Sequence, residues 1–428
     1  MRRAIPLCGF GLTLILWYPG DMRDPDSIDQ FQQSLAFHFT DWHPPVMALL
    51  WSGLNALWTG PQLMLIVQLG LYWGSVYFVL SSVEQNVPRR YFLLIAGLLC
   101  APYIAIFLGD IVKDVQLLCA WTFAVTFVFW TRASGREPSR LAKGLMLVLV
   151  LYGGLVRHNS GLVAAPVMLY VLHGRPYLRR AWTTVASYVL VAAAIVAFGS
   201  GLNAALHVEK TSIARIGLAF DVAGISTRVD ANLLPFTLSA SEFDRIKQCY
   251  DGAAQDVFVW GDCRFVRSYV DASADRPMLA AWVDAVTAHP LAYGAHRLAV
   301  FQHFAIKRAD ESAGHVLISI FSRPITYIVW LAALLAYVVH RRARADSPGW
   351  RGMGLSLFWT EAIVSVLYLA TYVPFGVAWG FRYIYLVVVA VSLATCGAIT
   401  AFTAVSGGGS VHPTCLPRSG VGSARAPR

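Results

Sequence analysis

The chain has 428 residues, of which 57% are hydrophobic and 14% are charged, and its mean hydropathy is +0.56. Soluble domains carry roughly 25% charged residues, so this composition excludes an ordinary soluble protein and favours a polytopic membrane protein. The net charge of +10 comes from basic residues in short loops between apolar runs. That distribution is typical of membrane topology and not of a nucleic-acid surface.

Ten apolar runs, taken in chain order, predict membrane-spanning helices. A helix needs about 20 apolar residues to cross roughly 30 Å of hydrocarbon. The runs are 4–19, 60–81, 91–108, 112–131, 144–156, 160–173, 181–201, 315–339, 353–373 and 383–405. The pair 144–156 and 160–173 is short, and it either crosses a thinned region or forms a buried hairpin that does not fully cross. No small-residue cleavage site follows the first run, so we expect an anchor and not a signal peptide.

The distribution of charge sets the orientation of these helices. With the N-terminus in the cytoplasm, 18 of the 34 basic residues fall in short cytoplasmic pieces, and 20 of the 24 acids fall outside. Cytoplasmic loops of membrane proteins carry an excess of Lys and Arg. The sequence therefore predicts an all-α protein of the cytoplasmic (inner) membrane, with about ten transmembrane helices and with both termini inside.

Four parts of the chain follow from this topology. Residues 1–201 form an N-terminal membrane module with a polar first outer loop at 20–59. Residues 202–314 form an extracytoplasmic segment that we expect to be mostly helical, and residues 315–405 form the C-terminal membrane helices. The tail 406–428 is basic and rich in Gly, Ser and Pro, so we expect it to be disordered.

Two of the seven cysteines lie close together in the extracytoplasmic segment, in the stretch CYDGAAQDVFVWGDC. In an oxidising compartment such a pair predicts a disulfide between Cys249 and Cys263, the alternative being two free, buried thiols. Closing a loop of this size stabilises a fold by about 3 kcal/mol in the chain-entropy treatment. Further along, 277–305 mixes aromatic, aliphatic and basic residues, which indicates helices on the membrane surface.

The first outer loop predicts an amphipathic helix. In SIDQFQQSLAFHF, the side chains of Ile28, Phe31 and Leu35 share one side at helical spacing, and Asp29 lies on another. Such a helix suits the surface of a membrane. Asp26 precedes it in the N-cap region, where the free N–H groups of the first turn hold a carboxylate in a fixed orientation.

The stretch DWHPP at 41–45 predicts a rigid corner after that helix. Proline lacks a backbone N–H and restricts the residue before it, so Pro44 and Pro45 end any helix at His43 and hold the chain extended. A membrane-associated helix is predicted at 46–58. Asp41 and His43 therefore lie on a corner of fixed geometry, which a binding or catalytic site requires.

Polar residues cluster at four places, and the predicted topology puts all four outside. They are the acids of the first loop, Asp110 with Lys113 and Asp114, Arg157 with His158 and Asn159, and Arg382. Charges near membrane depth are costly and usually face a cavity or a partner. An acid-rich loop beside three loops that carry cations predicts a catalytic base next to an anion-binding pocket. Each group taken singly has an ordinary alternative: a solvated loop acid, a pair at a helix start, or an arginine that reaches the headgroups.

These residues resemble a known family. DPDSIDQF…DWHPP is similar to the first outer loop of the type-C glycosyltransferases, polytopic enzymes that use polyprenyl-phosphate sugars, and its corner resembles the Asp-x-His-Pro-Pro of protein O-mannosyltransferases. KDVQLLCAW, VRHNSGLVAAPVMLYV, FRYIYLVVV and FDVAGIS…NLLPF…CYD resemble elements of bacterial members, in an order that covers residues 1 to about 400. The acidic pair here is DPD where the family usually has Asp-Glu. The chain also has fewer spans than the long mannosyl- and aminoarabinosyl-transferases.

The resemblance implies a hexosyltransferase. A loop carboxylate would act as general base on an acceptor hydroxyl, and the sugar would leave its lipid phosphate with inversion. The implied partners are a polyprenyl-phosphate sugar, membrane lipids and a glycan, lipid or protein acceptor, with no nucleic acid. The implied base is Asp26, with Asp24 second, and Asp41 and His43 would position the acceptor or orient the base. The implied donor-phosphate ligands and their supports are Lys113, Arg157 and Arg382, with Asp114 and His158.

A metal and two other functions remain as alternatives. Some superfamily members bind a divalent metal between acids of two outer loops, here Asp24, Asp26 and Asp114, although the residues do not require a metal. A flippase or transporter of lipid-linked glycans would carry charges at mid-depth and an inverted repeat, whereas Glu361 is the one acid within a predicted span and no repeat is visible. A polysaccharide polymerase or ligase would rely on basic residues of later outer loops. Neither alternative explains the acids of the first loop.

Overall fold

The chain was analysed as a computed structural model that describes residues 1–306, 320–321, 323–341, 349–376 and 381–403. These residues form helices and no strand, with two isolated β-bridges, Asp21 to Asp110 and Thr40 to Glu209. The helices are α1 Ala4–Trp17, α2 Pro25–Ala36, α3 Val46–Asn55, α4 Gln62–Val83, α5 Arg89–Leu99, α6 Pro102–Ala105, α7 Lys113–Ala133, α8 Arg140–Val156, α9 Ala164–His173, α10 Ala181–Ala205, α11 Ile213–Val229, α12 Ala240–Cys249, α13 Asp256–Val259, α14 Phe265–Ala272, α15 Asp275–Ala288, α16 Pro290–Ile306, α17 Pro324–His340, α18 Gly349–Phe375 and α19 Tyr385–Thr403. Two 3-10 turns, Ser160–Val163 and Phe381–Ile384, precede α9 and α19.

Five segments are long and apolar enough to cross a membrane: Gln62–Val83, Lys113–Ala133, Ala181–Ala205, Gly349–Phe375 and Arg382–Thr403. Four further apolar helices are shorter: Ala4–Trp17, Val46–Asn55, Ser160–His173 and Pro324–His340. Helix α10 has almost no buried residue, and its Val185, Val189 and Leu190 are more than 60% exposed. Apolar helices with exposed aliphatic side chains indicate a membrane protein.

The core of the helical bundle is formed by α4, α7, α18 and α19. Helices α18 and α19 cross with their backbones in contact. A Cβ added to Gly354 would lie 2.6 Å from the Gly397 carbonyl oxygen, and one added to Gly397 would lie 2.6 Å from the Gly354 carbonyl oxygen. Small residues at such a crossing let two helices approach closely, which is common within membranes.

The predicted run 91–108 is not one helix. Helix α5 ends at Leu99, Ala101 is extended with ψ 139°, and α6 begins at Pro102. Proline disfavours a helical conformation in the residue before it, so a continuous helix cannot pass this point. Of the other runs, 315–319 and 404–405 lie outside the described residues, as does the predicted disordered tail 406–428.

The segment that follows α10 has a hydrophobic core of its own. Helices α11 to α16 pack around buried residues that include Phe220, Phe258 and Met278. A disulfide joins Cys249 at the end of α12 to Cys263, with the two Cα atoms 5.7 Å apart. Trp42 of the DWHPP corner packs against this second core, so the first loop and the segment 202–306 are in direct contact.

The first loop differs from its prediction in two respects. The N-cap of α2 is Asp24 and not Asp26, because Pro25 takes the first helical position and the Asp24 carboxylate accepts the Asp26 N–H at 2.9 Å. The helix also ends before the prolines, at Ala36, where Phe37 turns left-handed with φ 50°. Helix α3 then runs over Val46–Asn55, shorter than the predicted 46–58.

Helix α2 is amphipathic, but Phe31, predicted on the same side as Ile28 and Leu35, packs inward against Trp51, with the ring centroids 5.1 Å apart. Its buried residues are all polar: Ser27, Gln30, Gln33 and Ser34. Ile28 and Leu35 are exposed, with relative accessibilities of 44% and 53%. A helix that turns its polar side towards the protein and its apolar side outward suits an apolar environment at its outer surface.

Candidate functional site

A cavity of about 640 Å³ lies where the first loop, the start of α7, the turn between α8 and α9, the segment 202–306 and the turn before α19 meet. Seven of the nine predicted site residues line it: Asp24, Asp26, His43, Lys113, Arg157, His158 and Arg382. Its size lies within the range of small-ligand sites, roughly 300–1,000 Å³. The two predicted residues that do not line it are Asp41 and Asp114.

Asp26 is held in the cavity by cations from two other parts of the chain. Its Oδ2 lies 3.1 Å from Arg382 Nη2 and 3.4 Å from Lys113 Nζ. The carboxylate also sits in the first turn of α2, where the helix dipole favours negative charge. Burial alone would raise the pKa of Asp26, but the charges of Lys113 and Arg382 outweigh it and hold that pKa below its usual range. Asp26 is therefore ionised at neutral pH.

His43 connects Lys113 to Asp26. Its Nδ1 lies 2.7 Å from Lys113 Nζ, and because an ammonium group can only donate, Nδ1 accepts. The ring proton is then on Nε2, which lies 3.5 Å from Asp26 Oδ1. Burial, together with the charge of Lys113, lowers the pKa of His43 to about 3. The ring is thus a neutral donor directed at the Asp26 carboxylate.

Arg382 bridges the two acids of DPD. Its Nη1 pairs with Asp24 Oδ2, and its Nη2 contacts Asp26. The same Nη2 donates to the Tyr383 hydroxyl at 2.8 Å. Asp24 is therefore committed on both oxygens, to the cap of α2 and to Arg382. Asp26 keeps the less constrained carboxylate, since its contacts with charged groups are all 3.1 Å or longer.

Arg157 and Asp114 form a buried ion pair beside this cluster. Arg157 Nη1 contacts Asp114 Oδ1, and the two side chains are only 10% and 2% exposed. Asp114 lies in the first turn of α7, next to Lys113. The guanidinium of Arg157 also lies over the Tyr383 ring, 5.2 Å from its centroid. Asp114 thus orients a cavity cation without lining the cavity itself.

Asp41 has a structural set of contacts. Its Oδ1 accepts from the backbone N–H and from the hydroxyl of Thr211, both at 2.6 Å. Together with the bridge between Thr40 and Glu209, these bonds fix the DWHPP corner to the start of the segment 202–306. His158 is exposed, and it lines the cavity beside Arg157.

The cavity has further lining residues that the sequence analysis did not select: Gln255, Asp256, Trp260, Tyr372 and Tyr383. Asp256 and Trp260 belong to the cysteine-bounded stretch. An acid and a tryptophan within this stretch were the only signal available in the sequence. Burial raises the pKa of Asp256. Tyr372 lies in the apolar run 353–373, where a tyrosine gives no distinguishing signal.

The acids do not fit a divalent metal. Asp114 is paired with Arg157, Asp24 with Arg382, and Asp26 with Lys113 and Arg382. Cations of the chain therefore occupy the places next to these carboxylates. Within the described part of the chain, no three His, Cys, Asp or Glu side chains are grouped closely enough to hold a metal ion.

Comparisons of the chain with protein families, with curated proteins and with solved structures find no match.

Proposed function

We propose that this protein is a membrane glycosyltransferase that moves a sugar from a polyprenyl-phosphate donor to an acceptor hydroxyl, with inversion. One observation carries the proposal. Asp26, an ionised carboxylate, lines a cavity that also holds Lys113, Arg157 and Arg382. A base for the acceptor and cations for a leaving phosphate are the groups that this reaction needs. The motif resemblance of the first loop supports the same reaction.

In the proposed reaction Asp26 accepts the proton of the acceptor hydroxyl. The acceptor oxygen attacks the anomeric carbon from the side opposite the phosphate, and the new C–O bond forms as the bond to the phosphate oxygen breaks. The electron pair leaves with the polyprenyl phosphate, whose negative charge is stabilised by Lys113 and Arg382 and by the planar guanidinium of Arg157. His43 Nε2, 3.5 Å from the second oxygen of Asp26, faces that oxygen with its proton and helps to orient it.

The ion pairs of Asp26 suggest how the base becomes active. A carboxylate with so low a pKa is a weak base, since efficient general bases have a pKa near the working pH. Donor phosphate oxygens compete with Asp26 for Lys113 and Arg382. As the phosphate attracts these cations, the pKa of Asp26 rises. Donor binding would therefore precede and enable deprotonation of the acceptor.

The proposed topology is the ten-span arrangement with both termini in the cytoplasm. In it the cavity faces outward, because α4 and α7 begin, and α18 ends, on the outer side. Residue accessibility in intact cells tests this. In a Cys8→Ser, Cys415→Ser background, an impermeant thiol reagent should label Ser241→Cys in intact cells and Ser134→Cys only after permeabilisation. Labelling of Ser134→Cys in intact cells would invert the topology.

The reaction is tested by comparing Asp26→Asn with Asp29→Asn. Both acids lie on α2, but the Asp29 carboxylate accepts from Gln33 at 2.6 Å and is 46% exposed. Membranes that carry wild type or either variant, at matched expression, are supplied with labelled polyprenyl-phosphate sugars. Asp26→Asn should reduce label transfer by about 10²–10⁴-fold, and Asp29→Asn should retain most of it. Equal transfer by wild type and Asp26→Asn would exclude Asp26 as the base.

The carrier alternative is distinguished in the same membranes. A flippase would move labelled lipid across the bilayer without transferring the sugar. If wild type moves no label to any acceptor but accelerates transbilayer movement of the donor, the glycosyltransferase proposal is wrong.

A further inference from the structure

The loop closed by the Cys249–Cys263 disulfide forms one wall of the cavity. It contributes Gln255, Asp256 and Trp260. The loop is held from behind, because Phe258 is fully buried in the core of the segment 202–306. It is also held internally, since the backbone N–H of Trp260 donates to the backbone carbonyl of Asp256 at 2.8 Å. The cavity-facing side chains of this wall are therefore presented by a fixed backbone.

Trp260 is 72% exposed although it lies two residues after the buried Phe258. An exposed aromatic ring on a fixed loop offers a flat apolar face to a ligand. Trp260 lines the cavity, and a tryptophan that only anchors a protein at the membrane interface has no reason to do so. The face of its ring carries negative partial charge. The C–H groups of a sugar ring, which carry positive partial charge, fit that face.

Asp256 differs from the other acids of the cavity. Asp24 and Asp26 each contact at least one cation within 3.4 Å. Within the described ranges no basic side chain lies within ion-pair distance of the Asp256 carboxylate, although the charges of Arg382 and Asp26 act on it. Its oxygens are free to accept hydrogen bonds from hydroxyl groups. A carboxylate next to an aromatic ring offers the two contacts that a polyhydroxylated ring needs.

The cavity is thus divided by charge. Lys113, Arg157 and Arg382 lie on the side of the helical bundle, whereas the disulfide loop adds an acid, an amide and an aromatic ring but no cation. An anionic phosphate would be repelled by Asp256 and attracted to the bundle side. A neutral sugar suits the loop side, and the cavity volume of about 640 Å³ fits one or a few sugar units.

We propose that the disulfide-closed loop Cys249–Cys263 is the acceptor-binding wall, and that the acceptor is a carbohydrate held by stacking on Trp260 and by hydrogen bonds to Asp256. The assignment of this carbohydrate as the acceptor rests on the proposed function, whereas the carbohydrate site itself does not. The site selects a glycan over a protein or lipid acceptor.

Ligand-detected NMR tests the site without turnover. The full chain in lipid nanodiscs is titrated with the methyl glycosides of glucose, galactose, mannose and N-acetylglucosamine, and saturation transfer is measured. At least one glycoside should bind wild type, and Trp260→Ala and Asp256→Asn should each weaken its binding about tenfold or more. Trp260→Phe, which keeps an aromatic face, should bind more tightly than Trp260→Ala. The matched control is Trp182→Ala on α10, 65% exposed and outside the cavity, which should bind as wild type does.

The outcomes separate this proposal from the proposed function. If no glycoside binds, or if binding survives Trp260→Ala, the carbohydrate site is wrong. If label transfer depends on Asp26 but glycoside binding does not depend on Trp260, the glycosyltransferase proposal is retained and the carbohydrate-binding wall is rejected. If glycoside binding depends on Trp260 but wild type transfers no label, the carbohydrate site is retained and the glycosyltransferase proposal is rejected.

Discussion

Two places in the described part of the chain can be compared, because each brings together an aspartate, a histidine and an arginine. One is the cavity cluster of Asp26, His43 and Arg382. The other lies inside the segment 202–306 and consists of Asp221, with His296 and Arg297 beside it. The residue types are the same, but the two clusters differ in how completely each carboxylate is satisfied.

The Asp221 cluster is closed. The Asp221 side chain is 3% exposed, and its oxygens accept from His296 Nε2 at 2.9 Å, from Trp282 Nε1 at 2.9 Å and from Arg297 Nη2 at 2.7 and 2.8 Å. The other ring nitrogen of His296 contacts the Tyr250 hydroxyl. The second guanidinium nitrogen of Arg297 donates to the Gly376 carbonyl at 2.7 Å, just beyond the end of α18. The cluster therefore ties the segment 202–306 to the helix that carries Tyr372.

The Asp26 cluster is open. The Asp26 side chain is 20% exposed, and its contacts with Arg382, Lys113 and the neutral His43 ring, at 3.1 to 3.5 Å, are longer than those of Asp221. Charge holds this carboxylate in place without saturating its oxygens with short hydrogen bonds. The same residue types thus form a saturated ion pair in one place and, in the other, a carboxylate with unused hydrogen-bonding capacity at a cavity.

The same Asp→Asn substitution, made in each of the two clusters, should give the largest difference in stability. Asp221→Asn leaves the buried charge of Arg297 without its carboxylate and should destabilise the fold by about 3–5 kcal/mol. Asp26→Asn should cost less, about 1.5–3 kcal/mol, because its depressed pKa means that the ionised carboxylate stabilises the fold, whereas Arg382 keeps Asp24 and Lys113 keeps His43 as partners. Thermal unfolding in one detergent measures both. Equal stability losses would mean that the two clusters do not differ in the way the contacts indicate.

His43 should have a smaller effect on stability, and its main effect should be on catalysis. His43 Nε2 lies 3.5 Å from Asp26 Oδ1, and loss of this polar contact with the charged base should lower kcat of His43→Ala about tenfold. Because the pKa of His43 is about 3, its ring stays neutral from pH 5 to 8. Wild type and His43→Gln should therefore give pH–rate profiles of the same shape in that interval. An inflection near pH 6.5 in wild type that disappears in His43→Gln would show that the ring titrates there.

The sequence revealed the first cluster and not the second for a physical reason. Asp26 and His43 lie 17 residues apart in one loop that composition already marked as unusual. Asp221 and His296 are 75 residues apart in two helices, and their contact depends on how those helices pack. Long apolar helices could be predicted because membrane thickness fixes their length. The break before Pro102 and the N-cap at Asp24 were predicted wrongly, although a proline marks each of them.

A third acid should show the smallest effect and sharpen the same comparison. Asp110 lies between Gly109 and Ile111, whose backbones hydrogen-bond to Asp21 of the first loop, and burial and the charge of Asp21 raise the pKa of Asp110 to about 7. A folded-state pKa above the unfolded value means that wild type loses stability as pH rises from about 4 to about 7. Asp110→Asn should remove this loss, and it should therefore raise stability at pH 8 with little effect at pH 4.

Unfolding temperatures of wild type, Asp110→Asn and the exposed control Asp284→Asn between pH 4 and pH 8 measure this difference. Acids with cation contacts, such as Asp26, should show the opposite sign, because a depressed pKa gives stability that is lost as pH falls. If Asp110→Asn has the same effect at every pH, Asp110 does not titrate in this interval. In that case, the presence or absence of a neighbouring cation would not explain how the buried acids of this loop region affect stability.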